Sequence, residues 1–139
     1  MAHVRGGMDL GYEWYTDGKM LNKKNTFLDY EAAAKALIDK GYTSKGLITG
    51  QGISMLNSNL PLTTQEYTEW GNPNTEEYYH YILSYAPYEN VRNQAYPHLL
   101  FLTGIADEQV GFWEPAKMVA RLRDRKTDQN RLLLYTEMQ

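Results

Sequence analysis

Thr26-Phe27-Leu28-Asp29-Tyr30-Glu31-Ala32-Ala33-Ala34-Lys35-Ala36-Leu37-Ile38-Asp39-Lys40-Gly41, followed after a short turn by Leu47-Ile48-Thr49, is the stretch on which the fold turns. Tyr30, Ala33, Ala34, Leu37 and Ile38 recur at i, i+3, i+4, i+7 and i+8, the apolar stripe of an amphipathic helix. Thr26 is a suitable N-cap, and Asp29 three residues later gives a short-armed capping box. Gly41 ends the helix as a C′ residue. Leu47 to Thr49, bounded by Gly46 and Gly50, reads as a brief apolar strand. Helix, short loop and strand in succession is the rhythm of a parallel α/β sheet.

The same rhythm continues outward. Leu99 to Thr103 is the strongest strand in the chain, apolar at every position but its last, as a strand covered on both faces would be. A helix is predicted to begin near Pro115, with Glu114 at the positive end of its dipole, and to run to about Arg125. Leu132 to Tyr135 is a last strand. Another helix is predicted over 75–85, with Tyr78, Tyr79, Ile82 and Leu83 on one side and Pro87 ending it. Residues 1–25, broken by Gly6, Gly7, Gly11 and Gly18, read as irregular, and 50–74, rich in Gly, Asn, Thr and Pro, read as loop. No internal repeat interrupts this order.

The bulk properties set bounds. At 139 residues and 16.1 kDa, the sequence suits a single domain spanning 1–139. An apolar content of 42% is that of a folded globule, and a net charge of −3 without a basic block argues against nucleic acid or an anionic membrane as the main partner. The chain has no cysteine, which excludes disulfides, thiol nucleophiles and thiolate metal sites. The longest apolar run, Leu99 to Leu102, is far too short to span a membrane. No apolar signal segment follows Met1, so a cytoplasmic location is expected. Twelve tyrosines against three phenylalanines, most of them between Tyr67 and Tyr96, point to a wet, half-buried layer.

Few residues carry chemistry. Ser54 closes Thr49-Gly50-Gln51-Gly52-Ile53-Ser54, a serine on a glycine-rich turn after a strand, the way α/β-hydrolases present a nucleophile. Gly52-Ile53-Ser54 is the first half of the required G-x-S-x-G; the second half reads Met55-Leu56. Asp107 follows the strand ending at Thr103, where α/β folds gather their sites, and there it can orient a histidine or simply cap a turn. The three histidines, His3, His80 and His98, all precede it. Glu66 and Glu69 stand among aromatics, in a segment able to form an acidic pocket for Arg or Lys or a merely solvated loop. No spacing marks a metal site, and His3-Val4-Arg5-Gly6-Gly7 lacks the pattern of a phosphate loop. No cofactor is implied.

Several of these segments share one resemblance. Ala2-His3-Val4-Arg5-Gly6-Gly7, Trp14-Tyr15-Thr16-Asp17-Gly18-Lys19, Lys24-Asn25-Thr26-Phe27-Leu28-Asp29-Tyr30, Pro61-Leu62-Thr63-Thr64, Glu69-Trp70-Gly71-Asn72-Pro73, Ser84-Tyr85-Ala86-Pro87-Tyr88, Tyr96-Pro97-His98 and Trp113-Glu114-Pro115-Ala116-Lys117 resemble the catalytic domain of the prolyl oligopeptidase family of serine peptidases. Glu69-Trp70-Gly71-Asn72-Pro73 is similar to its basic-residue-cleaving branch. The resemblance covers essentially the whole chain. It implies a partial α/β-hydrolase domain, a mostly parallel sheet with flanking helices. The implied activity is cleavage of short peptides after Arg or Lys, gated in the family by a β-propeller, a domain expected to be absent here. It implies Ser54 as nucleophile and Asp107 as triad acid. Glu66 is then a holder of the P1 Arg or Lys, with Trp70 as a further substrate contact. Thr68 stands where the family has a second P1 carboxylate.

The departures from the family pattern set the functional expectation. Ser54 is followed by Met55-Leu56-Asn57-Ser58 instead of Ala-Gly-Gly, as if the helix behind the nucleophile and one central strand had been deleted. The sequence reaches Gln139 just before the family's Ser-Gly-His-Gly-Gly, so the triad histidine is expected to be absent, and the oxyanion tyrosine lies upstream of Met1. A serine without a base is barely nucleophilic, and losing one triad member costs roughly 10⁶-fold. The expectation is a remnant of a serine oligopeptidase with little or no catalysis. The alternatives are a binding module for short basic peptides and one half of a split peptidase. Sheet edges and faces bared by the deletion make self-association the expected behaviour.

Overall fold

Parallel pairing of Leu99–Gly104 (β1) with Leu132–Glu137 (β2) anchors the second half of the computed structural model, which describes residues 1–44, 64–108 and 110–138. The strand expected at Leu47–Thr49 and the Ser54 turn lie outside those residues. The chain divides into two units, which in described residues are 1–44 with 64–81, and 82–138.

In the second unit, β1 and β2 pair in register from Leu99 with Leu132 to Gly104 with Glu137, joined by the helix Trp113–Arg125 (α5, named in chain order). This β–α–β arrangement is the one that the alternation of apolar runs predicts. Leu99, Phe101 and Thr103 of β1, with Leu132, Leu134 and Thr136 of β2, are half-buried, while the intervening residues are exposed. α5 packs on both strands and buries Val119 and Leu122; Ile82, Ala86 and Val91 complete the buried apolar set. Among the described residues, all of the buried apolar core therefore lies in this unit. The expectation that β1 is covered on both faces is not met. Leu100 (60% exposed), Leu102 (68%), Leu133 (51%) and Tyr135 (56%) leave one apolar face of the sheet open.

A lattice of polar bonds closes the α5–β2 connection. Lys126 Nζ lies 2.7 Å from Asp128 Oδ1, whose other oxygen accepts the Tyr96 N–H at 2.6 Å. Asn130 Nδ2 donates to the Tyr96 carbonyl at 2.6 Å. The Lys126 side chain foremost, with the Tyr96 and Asn130 backbone N–H groups, holds the Asp128 carboxyl well below the ordinary carboxylate range.

The first unit is built differently. Two short elements break the expected irregularity of 1–25: the helix Tyr12–Thr16 (α1) and a 3-10 turn at Met20–Asn22. Glycines interrupt the hydrophobic period there but still bound a single turn, with Gly11 at φ 100° opening α1. The next helix, Lys24–Asp39 (α2), begins two residues before the expected cap. The Thr26 hydroxyl bonds instead to the Arg5 and Gly18 carbonyls at 2.7 and 3.0 Å. Asp29, taken for a capping residue, instead receives the Arg5 side chain and backbone N–H. Long-range partners have replaced the local cap. At the other end the expectation holds: Gly41, at φ 73°, donates to Ile38 O while Tyr42 donates to Leu37 O, a Schellman closure. The apolar stripe of α2 is only partly covered, with Tyr30 and Leu37 exposed. Helix Tyr67–Trp70 (α3) falls within the expected loop, and Glu76–Leu83 (α4) is the helix predicted over 75–85. Tyr67, Tyr78 and Tyr81 are half-buried, and the Tyr81 hydroxyl accepts the Lys24 N–H at 3.0 Å.

Candidate functional site

One turn of helix carries Glu66 and Trp70. Glu66 is the N-cap of α3, and its carbonyl accepts the N–H of both Glu69 and Trp70 at 2.9 Å. That turn places residues 66 and 70 on one face, and the Trp70 indole Nε1–H donates to Glu66 Oε2 at 2.9 Å. Gly71 ends the turn at φ 91°, ψ 159°, a backbone region open essentially to glycine alone. The sequence suggests a loop here, and the spacing of a carboxylate and an indole four apart is the signal that could have marked a helical turn.

The neighbouring residues come from far along the chain. Glu69 Oε1 accepts the Tyr15 hydroxyl at 2.6 Å, and Lys19 Nζ donates to that same hydroxyl oxygen at 3.0 Å. Lys23, directly after the 3-10 turn, places its ammonium 4.3 Å from the centre of the Trp70 ring, and Phe27 lies against the same side chain at 6.1 Å between centroids. Burial pushes the Lys23 ammonium below its ordinary pKa, opposed by the pull of the Glu69 and Glu66 carboxylates. The site is therefore two carboxylates, an aromatic face and one partly desolvated cation. Lys23 and Tyr15 were not assigned to this site from the sequence. Their contribution depends on how the 3-10 turn, with Met20 at φ 48°, brings 15–23 to α3.

Asp107 belongs to the second unit, where it sits just past the C-terminal end of β1. Ile105 N–H extends the ladder to Glu137 O at 2.9 Å, Asp107 N–H donates to Gly104 O at 3.3 Å, and Asp107 Oδ1 accepts the Val110 N–H at 2.8 Å. The carboxylate thus caps a turn at the strand end where α/β folds place their sites. Each histidine has its own setting. His3 Nδ1 pairs with Asp9 at 2.8 Å, and His80 meets the Tyr79 ring edge-on at 5.5 Å. His98 Nδ1 accepts the Arg131 N–H at 2.8 Å. His98 precedes β1 and Asp107 follows it, so a six-residue strand, roughly 20 Å long, separates them. His98 is therefore no partner for Asp107.

A model of the prolyl oligopeptidase family matches residues 1–55 and 53–139. Protease 2 of Moraxella lacunata is 44% identical over 169 positions, thirty more than the chain has residues, covering 99% of this chain and 24% of that protein. Dipeptidyl aminopeptidase BI of Pseudoxanthomonas mexicana is 39% identical, covering the whole chain and 24% of that protein. The surplus of aligned positions and the meeting of the two matched segments at 53–55 put a gap in this chain beside Ser54. Oligopeptidase B from Leishmania major superposes with a TM-score of 0.85 at 39% identity, over 98% of this chain and 23% of that one. Oligopeptidase B from Trypanosoma brucei, in a closed form with covalently bound antipain, gives 0.86 at 36%, over 98% and 24%. The fold is thus a partial α/β-hydrolase domain, and the chain spans about a quarter of the length of these relatives.

Proposed function

Because the chain belongs to the prolyl oligopeptidase family, whose pattern runs through nearly all of its 139 residues, we propose that it retains the family's recognition of a basic peptide side chain while these residues by themselves do not catalyse hydrolysis. The observation that carries the first half is Glu66, held by the Trp70 indole at 2.9 Å with Glu69 one turn away, an acidic and aromatic surface for Arg or Lys. Short basic peptides are the proposed ligands. Thr68 in place of a second carboxylate keeps the binding weak, on the order of a millimolar.

The second half rests on what surrounds the nucleophile position. Ser54, the proposed nucleophile, is followed by Met55-Leu56 and by the alignment gap, so the small residue that lets a nucleophile elbow pack is missing. Asp107, the proposed triad acid, has no histidine after it in this sequence, and His98 stands at the wrong end of β1. Without a base the serine hydroxyl stays protonated and inert.

Titration of the chain with N-acetyl-arginine amide and N-acetyl-norleucine amide, followed by nuclear magnetic resonance, tests the binding. Preference for the arginine compound, lost at least fivefold in Glu66→Gln, is the expected result. Equal shifts with both compounds, or an unchanged Glu66→Gln, would contradict it.

A further inference from the structure

The cation already seated against Trp70 belongs to the chain itself. Lys23 Nζ stands 4.3 Å from the Trp70 ring centre, within the pull of Glu69 and Glu66. The other nearby cations are committed elsewhere: Lys19 to the Tyr15 hydroxyl at 3.0 Å, Arg5 to Asp29 at 2.6 Å, and Lys24 over the Tyr81 ring. Among the described residues the Lys23 ammonium makes no hydrogen bond or ion pair, and of the two ammonium groups held only by a ring, Lys23 and Lys24, it is the one against Trp70. Its charge is met by an aromatic face and by carboxylates at longer range, which attract less than a direct charge-assisted bond.

We propose that Lys23 is a resident competitor in the Glu66–Trp70 site, occupying the place of a basic peptide side chain and setting the threshold that an incoming cation must exceed. This rests on the reading of Glu66 given above. A flexible ammonium without a direct carboxylate bond is displaced most readily by a planar guanidinium, which engages a carboxylate through two parallel N–H donors. Arginine peptides therefore exceed the threshold more easily than lysine peptides. Removing the Lys23 charge leaves the two carboxylates uncompensated and strengthens binding of either.

The test is the same titration on wild type, Lys23→Met, Lys23→Arg and the double variant Lys23→Met/Glu66→Gln. The expected result is at least tenfold tighter binding of N-acetyl-arginine amide to Lys23→Met, binding to Lys23→Arg that is weaker than to wild type, and loss of the gain in the double variant. Glu66-dependent binding that Lys23→Met leaves unchanged or weakens overturns this inference alone. Absence of binding to every variant overturns the Glu66 reading and this inference with it. Reductive methylation of the wild-type chain gives a measurement that needs no variant. Lys23 should react more slowly than the exposed Lys35, and N-acetyl-arginine amide should accelerate it; a rate that the compound leaves unchanged or slows overturns the proposal.

Discussion

Glu69 Oε1 accepts the hydroxyl of Tyr15 at 2.6 Å, a bond across 54 residues that ties α3 to α1. Around it the first unit is joined by similar polar links, since none of its described apolar side chains is fully buried. Polar ties replace a core there, and single deletions should be felt.

Tyr15→Phe removes the hydroxyl that both donates to Glu69 and accepts from Lys19. Hydrogen bonds of this kind contribute about 1 kcal/mol net, so the variant should lose about that much in denaturant unfolding, with no change in helix content by circular dichroism. An unchanged midpoint would show that the bond adds nothing to stability.

Gly71→Ala should be more severe. Its φ of 91° with ψ of 159° is a glycine conformation, and an added Cβ would run into the Tyr78 ring. Strain of this type costs about 1–3 kcal/mol, and because Gly71 ends the turn carrying Glu66 and Trp70, binding of arginine compounds should weaken along with stability. A variant with wild-type stability and affinity would place that turn elsewhere.

Asp29 supplies a pH dependence. Its carboxylate accepts the Arg5 guanidinium at 2.6 and 2.8 Å and the Arg5 backbone N–H at 2.9 Å, and these bonds, the side-chain ones foremost, hold it below its ordinary pKa of 3.8 against a smaller opposing effect of burial. A carboxyl lowered in the folded state stabilises the protein fully above its unfolded pKa, and that contribution fades as pH falls below about 3.8 toward the native value. Thermal melts of Asp29→Asn should be less stable than wild type at pH 7 and should converge on it as pH drops toward 2. A constant difference across that range would exclude the pair as the source.

The β1–β2 sheet predicts association. Leu100, Leu102, Leu133 and Tyr135 form an exposed apolar face, and such faces are uncommon on monomers unless they meet a partner. Light scattering at micromolar concentration should show species larger than 16.1 kDa, reduced by the double variant Leu102→Lys/Leu133→Lys. A monodisperse monomer would contradict this.

Legibility in the sequence followed the kind of force at work. β1, β2 and α5 were readable because burial imposes its period, and Gly41 because a left-handed C′ residue has few substitutes. The start of α2 was misread because Thr26 and Asp29 bond across the chain, to Arg5 and Gly18, where local capping rules do not reach. Of the candidate site, Glu66 and Trp70 are named through the family resemblance, while the helical turn that joins them reads as loop in the sequence. Lys23 is not named, since a lysine beside Lys24 carries no pattern until the 3-10 turn aims it at an indole. The open face of β1 was invisible for a related reason, because an all-apolar strand looks the same whether one face is covered or both.

Hydrolysis of an arginine aryl-amide by the purified 139-residue chain, set beside Ser54→Ala, decides most directly whether recognition survives here without catalysis. Product release should be no faster than in Ser54→Ala or in buffer, because none of the three histidines follows Asp107 in this sequence, where the family resemblance expects the base. Turnover that depends on Ser54 would mean that a base is supplied after all, and the division of binding from chemistry proposed for this chain would fall.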